Sequence, residues 1–405
     1  MRILLVQETD WVRRNPVHQH HLMERLVRRG HTVVVVDYDV LWQSRPERSL
    51  LVRRQEFPSV SKVFDDAGIR VVRPAILRVP FLCHASWVPT SLWEMYRLMR
   101  QYRPDVLVGL TLSNAFLVSL LASRASIPAV LCVLEPYHTM SSLRPLWPVT
   151  RLLETLSYRV ADRVVVFNER LVAYVHRLGA RPERVCRLPT GVDLKRFHPA
   201  LEGVAVRETY GLTQNDRVLF FMGWLYPFCG LREMALALAQ GSQIPSDIKL
   251  LVVGDGDIYE DVVQLRKSLG LEDRIILTGK QPYERIPEFV AAADVCLLPS
   301  LENDTTREIV PMKVYEYLAA GKPVVATRLP GLVAEFGTNS GVVYADGPVD
   351  ALQKAAALAA RPEEKARLGM ASRRYVEEHA DWERAAALFE ELLLSVQRER
   401  GKGYS

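Results

Sequence analysis

The sequence predicts an α/β fold of two domains, each built on a parallel sheet, and three observations carry that prediction. The chain has 405 residues, more than one hydrophobic core ordinarily serves, which suggests two domains of about 200 residues each. Apolar runs of strand length alternate with helical stretches, the pattern of strand-helix-strand crossovers, and these demand parallel strands and a right-handed connection. The series starts afresh with the apolar run RVLFFMG at residues 217–223, after a polar, mixed stretch at 200–215 that reads as a linker. The expected domains are therefore 1–198 and 199–378, followed by a terminal helical segment at 379–405.

Hydrophobic residues make up 49 % of the chain and charged ones 24 %, a soluble globular composition and not a disordered one. The five cysteines, Cys83, Cys132, Cys186, Cys229 and Cys296, are scattered, with no CxxC or His/Cys cluster. They read as reduced thiols of a cytosolic protein, and no zinc site is expected. The net charge of +5 is unevenly spread: residues 1–200 hold 29 Lys and Arg against 17 Asp and Glu, net +12, and the remainder 23 against 30, net −7. A basic first half points to an anionic surface or acceptor. The start, MRILLVQETD, has only a short apolar run before acidic residues and reads as a first strand, not as a signal peptide.

In the first half, residues 2–6 form that strand. An amphipathic helix from about Pro16 to Arg29, closed by Gly30, and the strand Thr32 to Asp37 complete the first crossover. The loop between them, ETDWVRRNPVHQHH, offers Arg13 and Arg14 as candidate phosphate contacts, and Trp11 as either a core residue or an acceptor contact. Residues 41–103 interleave many arginines with Trp42, Trp87 and Trp93. Such a mixture suits an anionic membrane surface, where tryptophan favours the interface and each nearby Arg adds about 1 kcal/mol; the alternative is a solvated face with its tryptophans in the core.

The longest nearly uncharged stretch, 106–123, has Thr111, Ser113 and Asn114 near its middle. It reads as a strand (Val106 to Leu110), a polar turn and a buried helix (Ala115 to Ser123), so no membrane span is predicted. RPDVLVGL, IPAVLCVL and ADRVVVFN complete an open parallel sheet by about residue 190, and ligands of such sheets bind beyond the carboxyl ends of the strands. Glu135 and His138 follow one of those ends.

In the second half, glycine turns follow successive strands: Gly223, then Gly254-x-Gly256, then Gly279 beside Lys280. The run 297–330, LLPSLENDTTREIVPMKVYEYLAAGKPVVATRLP, reads as a strand ending at Pro299, a polar loop, a helix opening at Pro311, a stop at Gly321 and a strand from Pro323 to Thr327. Glu308 lies in the loop and Glu316 on the helix, with Lys313 three residues before Glu316 on the same helix face. A cation in the first turn opposes the helix macrodipole, which favours anions there by roughly 0.3 to 1 kcal/mol. One physical reason for accepting that penalty is an anionic ligand on the free amides of the helix start, neutralised by Lys313.

Glu308-x7-Glu316 followed by YLAAGKPVVAT resembles the donor-binding signature of the retaining glycosyltransferases of family 4. RGHTVVVV at 29–36, VCRLPTGVDLKRFHP at 185–199 and RIILTGKQPYERIPEFVAAADVCLLPS at 274–300 resemble other family segments in the same order, and Trp382-Glu383 fits the family's terminal helix, which crosses back to the first domain. The resemblance covers nearly the whole chain. It implies the GT-B fold, two facing Rossmann-like domains with a nucleotide-sugar site, the first domain binding the acceptor and the second the donor.

It further implies a UDP- or GDP-linked sugar as co-substrate. Glu308 would contact the sugar hydroxyls, the amides at the helix start would hold the diphosphate, with Val310, Pro311 and Met312 as donor-binding residues there, and Glu316 would hold the ribose. Gly223, Gly254 and Gly256 would face the nucleotide, with Gly279 and Lys280 beside the base. His138 or Glu135 would stand near the donor sugar. Transfer would proceed with retention and without a metal or other cofactor. The acceptor would be a lipid-linked or other cell-envelope glycan precursor, and the enzyme cytoplasmic, peripheral on the inner face of the membrane, with no nucleic acid as partner.

The chain departs from the family pattern in two places. The loop after the first strand lacks the usual paired glycines, and GWLYPFCG places Trp224 and Cys229 where family members generally have the Arg and Lys that clamp the diphosphate. Compensation is expected from Lys313 first, then from Arg307, Lys280, or Arg13 and Arg14, which makes Glu308, Lys313 and His138 the expected catalytic set. A nucleotide-sugar-binding pseudoenzyme or interaction subunit would explain the missing clamp but not the persisting Glu pair and Lys313. A dinucleotide oxidoreductase would use the glycine turns, but GxGxxG with an acidic residue about 20 positions on is lacking.

Overall fold

The structure, a computed structural model, describes residues 1–39, 49–79, 82–110, 115–137, 147–240 and 244–402. The chain divides into two compact units, Met1–Pro189 with Trp382–Ser405, and Thr190–Asp381. The strands of the first unit are β1 (Arg2–Gln7), β2 (Thr32–Val36), β3 (Leu51–Val52), β4 (Gln55–Val60), β5 (Ile69–Arg73), β6 (Ile76–Leu77), β7 (Val106–Leu110), β8 (Ala129–Val133), β9 (Arg163–Val166) and β10 (Val185–Arg187). Among the described residues eight of them form one sheet in the order β10-β9-β8-β7-β1-β2-β5-β4, and β3 pairs with β6 alone. Every pairing in the large sheet is parallel except β4 with β5. Strands β7 and β8 are buried at every position, which is why they read as continuous apolar runs instead of alternating ones.

The second unit holds β11 (Arg217–Met222), β12 (Ile248–Val253), β13 (Ile275–Leu277), β14 (Val295–Leu298), β15 (Val324–Thr327) and β16 (Val342–Ala345). They form an all-parallel sheet in the order β13-β12-β11-β14-β15-β16. The strand order reverses between β11 and β14, so their outgoing loops diverge and leave a crevice at the carboxyl edge, the place where open α/β sheets bind ligands.

The helix Trp382–Lys402 belongs to the first unit and packs on helix His18–Arg28. Arg25 pairs with Glu383 at 2.8 Å, His31 with Glu390 at 2.6 Å, and the His21 ring stacks on Trp382 with centroids 4.8 Å apart. The boundaries differ from those read in the sequence. Residues 190–198 pack in the second unit, where Val192 and Phe197 join its core and the Val192 N–H donates to the Ala380 carbonyl at 3.2 Å. The stretch 200–215 is no linker. It contains helix Val204–Thr209, with Val206 fully buried and Arg207 paired with Asp294 at 3.0 Å; burial of Val206 and the ion pair of Arg207 fasten this polar segment to the unit.

The arginine-rich stretch is likewise not one solvated face. Trp87 is buried, while Trp93 is 64 % exposed; Trp42 lies outside the described residues, as do Thr111, Ser113, Asn114 and His138. Arg73 and Arg78 are internal. At the carboxyl ends of β1, β2 and β5, Arg73 donates to Asp10 at 2.7 Å and to both Asp37 oxygens at 3.0 and 2.6 Å, and Arg78 donates to Asp39 at 3.1 Å. Burial pushes the Asp37 carboxyl up to about 6, against the pull of the Arg73 hydrogen bonds. Trp11 is a core residue, fully buried, its backbone N–H donating to Asp37 at 3.1 Å. This network ties the glycine-free loop after β1 to the sheet through side chains.

Candidate functional site

The carboxyl edge of the second sheet is shaped by backbone that approaches backbone. Gly223, directly after β11, has φ +129°, and a Cβ there would lie 2.6 Å from Lys313 Nζ. Gly254, directly after β12, has φ +144°, and a Cβ would run into the Gly223 carbonyl. Only glycine tolerates both the dihedral and the contact. The Gly254 N–H donates to the Gly279 carbonyl at 3.0 Å, and the Leu225 N–H beside Gly256 donates to the Asp255 carbonyl at 2.9 Å. The turns after β11, β12 and β13 are thus laced into one floor.

Over this floor stands helix Met312–Ala319, entered through Pro311 in extended conformation with no side-chain cap. Pro311 has no N–H, so of the three residues assigned by sequence to the helix start it cannot donate; the first-turn donors are the amides of Met312 and Lys313. The Lys313 ammonium lies 4.3 Å from the centre of the Phe221 ring, a cation-π contact. Burial brings it down to about 8, opposed by Cys229 and Glu316. Among the described residues no carboxylate comes within ion-pair distance of it. Lys313 and Glu316 share a face and interact electrostatically, but Lys313 turns to Gly223 while Glu316 turns to Tyr283.

Glu316 is 8 % exposed, and its carboxylate accepts from the Tyr283 hydroxyl at 2.9 Å. Burial pushes it up to about 7, against Tyr283, Lys313 and Arg196. The Arg196 guanidinium sits 5.0 Å over the Tyr283 ring. The sequence reading missed Tyr283 and Arg196 as site residues, because nothing in their local sequence points at Glu316: Tyr283 reaches it from the short helix Tyr283–Arg285, and Arg196 through the packing of the 190s segment into this unit.

Glu308 is half-buried in the loop before the helix. That loop is set by Asn303, whose side-chain oxygen accepts from the Thr305 and Thr306 amides at 2.9 and 2.8 Å, and by the Gly331 N–H donating to the Arg307 carbonyl at 3.0 Å. Arg307 is half exposed and paired with Glu302 at 3.2 Å. Lys280 points to solvent. Val310 and Met312 flank Pro311, all half-buried. Trp224 is 43 % exposed, and Cys229 is buried, its thiol pushed up by burial. Arg13 and Arg14 are exposed in the first unit, where Arg14 donates to Thr9 Oγ1 at 3.1 Å. Burial also pushes up the Glu135 carboxyl, against Arg14. Among the described residues no group of three His, Cys, Asp or Glu side chains could hold a metal ion, and no helix is long and apolar enough to cross a membrane.

Residues 16–196 match the family described as Glycosyltransferase Family 4, and residues 216–361 the one described as Glycosyl transferases group 1. The 2-deoxystreptamine glucosyltransferase of Streptomyces kanamyceticus is 29 % identical over 323 residues, which span 74 % of this chain and 82 % of that protein. The GDP-mannose-dependent alpha-(1-6)-phosphatidylinositol monomannoside mannosyltransferase of Mycolicibacterium smegmatis is 29 % identical over 341 residues, 82 % of this chain and 86 % of that one. Among solved structures, Anabaena HepE in complex with UDP aligns with a TM-score of 0.73 at 17 % identity, covering 98 % of this chain and all (100 %) of that one. Two parallel-sheet units with glycine turns at the strand ends, aligned over nearly the whole chain with that neighbour, give the GT-B fold. The chain belongs to glycosyltransferase family 4 and is an enzyme of class EC 2.4.

Proposed function

We propose that this protein transfers a sugar from a UDP- or GDP-linked donor, held at the β11/β14 edge, to a lipid-linked or other cell-envelope glycan acceptor, with retention of configuration. The observation that carries this reading is Lys313: a half-buried cation at an uncapped helix start, against Gly223, with no carboxylate partner among the described residues. Such a cation has the charge and position that a diphosphate needs. Glu316 accepts the ribose hydroxyls, Glu308 the hydroxyls of the donor sugar, and His138 is a further contact to that sugar. As the bond from the sugar anomeric carbon to the diphosphate breaks and the acceptor oxygen bonds to that carbon on the same face, the acceptor's proton passes to the freed phosphate oxygen. No strong side-chain base is needed, and without a metal the developing charge is met by Lys313 and the first-turn amides.

Glu316→Ala is expected to weaken nucleoside diphosphate binding by roughly 1.5 to 3 kcal/mol, or roughly 10- to 150-fold, as for a lost charged hydrogen-bond partner. Glu308→Ala should instead lower turnover with little change in that affinity. Titration calorimetry with UDP and GDP, beside donor-hydrolysis rates, separates the two; unchanged nucleotide affinity in Glu316→Ala removes the ribose assignment.

The enzyme is proposed to act in the cytoplasm, in peripheral contact with an anionic membrane through the basic first unit. Helix Leu82–Gln101 supports this with exposed Leu82, Trp93 and Tyr96 and with Arg97 and Arg100 beside them. The protein should cosediment with anionic but not neutral vesicles, less so as salt rises. Absence of binding even at low salt would favour a soluble acceptor.

A further inference from the structure

Between Gly223 and Gly230 the chain reads GWLYPFCG, and its residues divide by exposure. Leu225 and Cys229 are buried, whereas Trp224 and Tyr226 are 43 % and 40 % exposed. Tyr226 stacks on Phe228 with ring centres 4.9 Å apart and planes at 10°, and Trp224 lies 6.5 Å from Tyr226. Adjacent rings of this size left open to water mark a contact surface more often than isolated apolar residues do.

The rings are also held in place. Trp224 Nε1–H donates to Asp257 Oδ1 at 2.9 Å, so the indole is fixed by its edge and keeps a face open. The backbone beneath is bonded to both neighbouring loops: Leu225 N–H to the Asp255 carbonyl at 2.9 Å, and Leu301 N–H to the Phe228 carbonyl at 2.8 Å. The aromatic row therefore runs from the loop after β12 across to the loop after β14, starting one residue from Gly223, against which Lys313 Nζ lies. A surface fixed before binding loses little entropy when a ligand settles on it.

Its charge narrows the occupant. The loop 223–230 contains no cation of its own, and the exposed Asp257 carboxylate holds the Trp224 indole, with exposed Asp255 two residues before it, bonded to the Gly256 N–H at 2.8 Å. On the exposed rings beside Asp257, away from Lys313, a phosphate would be repelled. A saturated ring bearing hydroxyls and no negative charge fits, its C–H face on the aromatic rings and its hydroxyls donating to the carboxylates.

We propose that Trp224, Tyr226 and Phe228 form a platform for an uncharged saccharide or cyclitol ring of the acceptor, set beside the diphosphate position. The proposal rests on the donor site described above. In place of a cationic clamp, the loop offers a flat apolar face from which an acceptor hydroxyl reaches the reacting carbon.

The test uses the full chain loaded with UDP or GDP, whichever calorimetry shows to bind, and saturation-transfer NMR with methyl α-D-glucopyranoside, methyl α-D-galactopyranoside and myo-inositol as probes. Ring C–H protons of at least one probe should receive saturation. In Trp224→Ala/Tyr226→Ala that transfer should fall at least fivefold, with nucleotide affinity within twofold of the parent. Undiminished transfer in the variant, or none from the parent protein to any probe, overturns the platform. A parallel loss of nucleotide affinity also overturns it, because the rings then stack on the base. If neither nucleotide binds the parent protein, it is the donor reading that has failed, and a probe signal unaffected by the variant refutes the platform separately.

Discussion

Lys313→Met is expected to lower turnover by about 100-fold or more, similar to the loss of one oxyanion donor, with the fold intact. One further negative charge develops on the already dianionic leaving diphosphate, and the family's usual cations are here replaced by Trp224 and Cys229. Methionine keeps the stem's volume over Phe221 and removes only the charge. The pH profile supplies an independent readout. The carboxylate form of Glu316 is needed, and burial holds that group at about 7, so kcat/KM should rise through pH 7. The ammonium form of Lys313 is needed, and burial holds it at about 8, so kcat/KM should fall above pH 8. Lys313→Met should abolish the alkaline limb and move the acid limb upward, because Lys313 pulls Glu316 down. Adding Cys229→Lys to the Lys313→Met protein should restore part of the rate if both positions reach one phosphate. Near-normal turnover in Lys313→Met would hand the role to another cation, Arg13 and Arg14 being the next candidates.

Arg73→Met should destabilise the first unit by about 3 to 5 kcal/mol, the usual cost of removing one partner from a buried ion pair. Arg73 is 2 % exposed and holds Asp10 and Asp37, both fully buried; Arg78 stays with Asp39. The deficit should depend on pH with a definite sign. An acid whose folded value is raised, as Asp37 is from 3.8 to about 6, contributes stability that is present below its unfolded value and is lost as pH rises through the folded one. Loss of Arg73 raises Asp37 further. The variant should therefore lag most above pH 6 and recover part of its deficit on acidification toward pH 5. Thermal unfolding of both proteins at pH 7.5 and 5 checks this, and equal stability at pH 7.5 would show that the carboxylates are not held by Arg73.

The parallel sheets, the Gly223, Gly254 and Gly279 turns, the helix carrying Lys313 and Glu316, and the terminal Trp382 helix were all legible in the sequence. Each is written in local chemistry: apolar runs for strands buried on both faces, glycine where φ is positive, and Pro311 and Gly321 bounding a helix. Family membership was legible as well, from motifs that keep their order along the chain.

What depended on contacts between distant residues was not legible. The stretch 200–215 has a linker's composition, yet Val206 and Arg207 bind it to the second unit. Arg73 and Arg78 look like surface cations until three aspartates distant in sequence enclose them. Trp87 and Trp93, alike in sequence and six residues apart, part company because helix Leu82–Gln101 buries one side and exposes another. Tyr283 and Arg196 reach Glu316 only through packing. The sequence by itself determined the strand, turn and helix order and the chemistry stationed at each strand end, since these follow from periodicity and backbone sterics. Tertiary structure alone decided which charges are buried together, where Lys313 and Glu316 point, and how far each is shifted, because burial and through-space partners set desolvation and charge coupling.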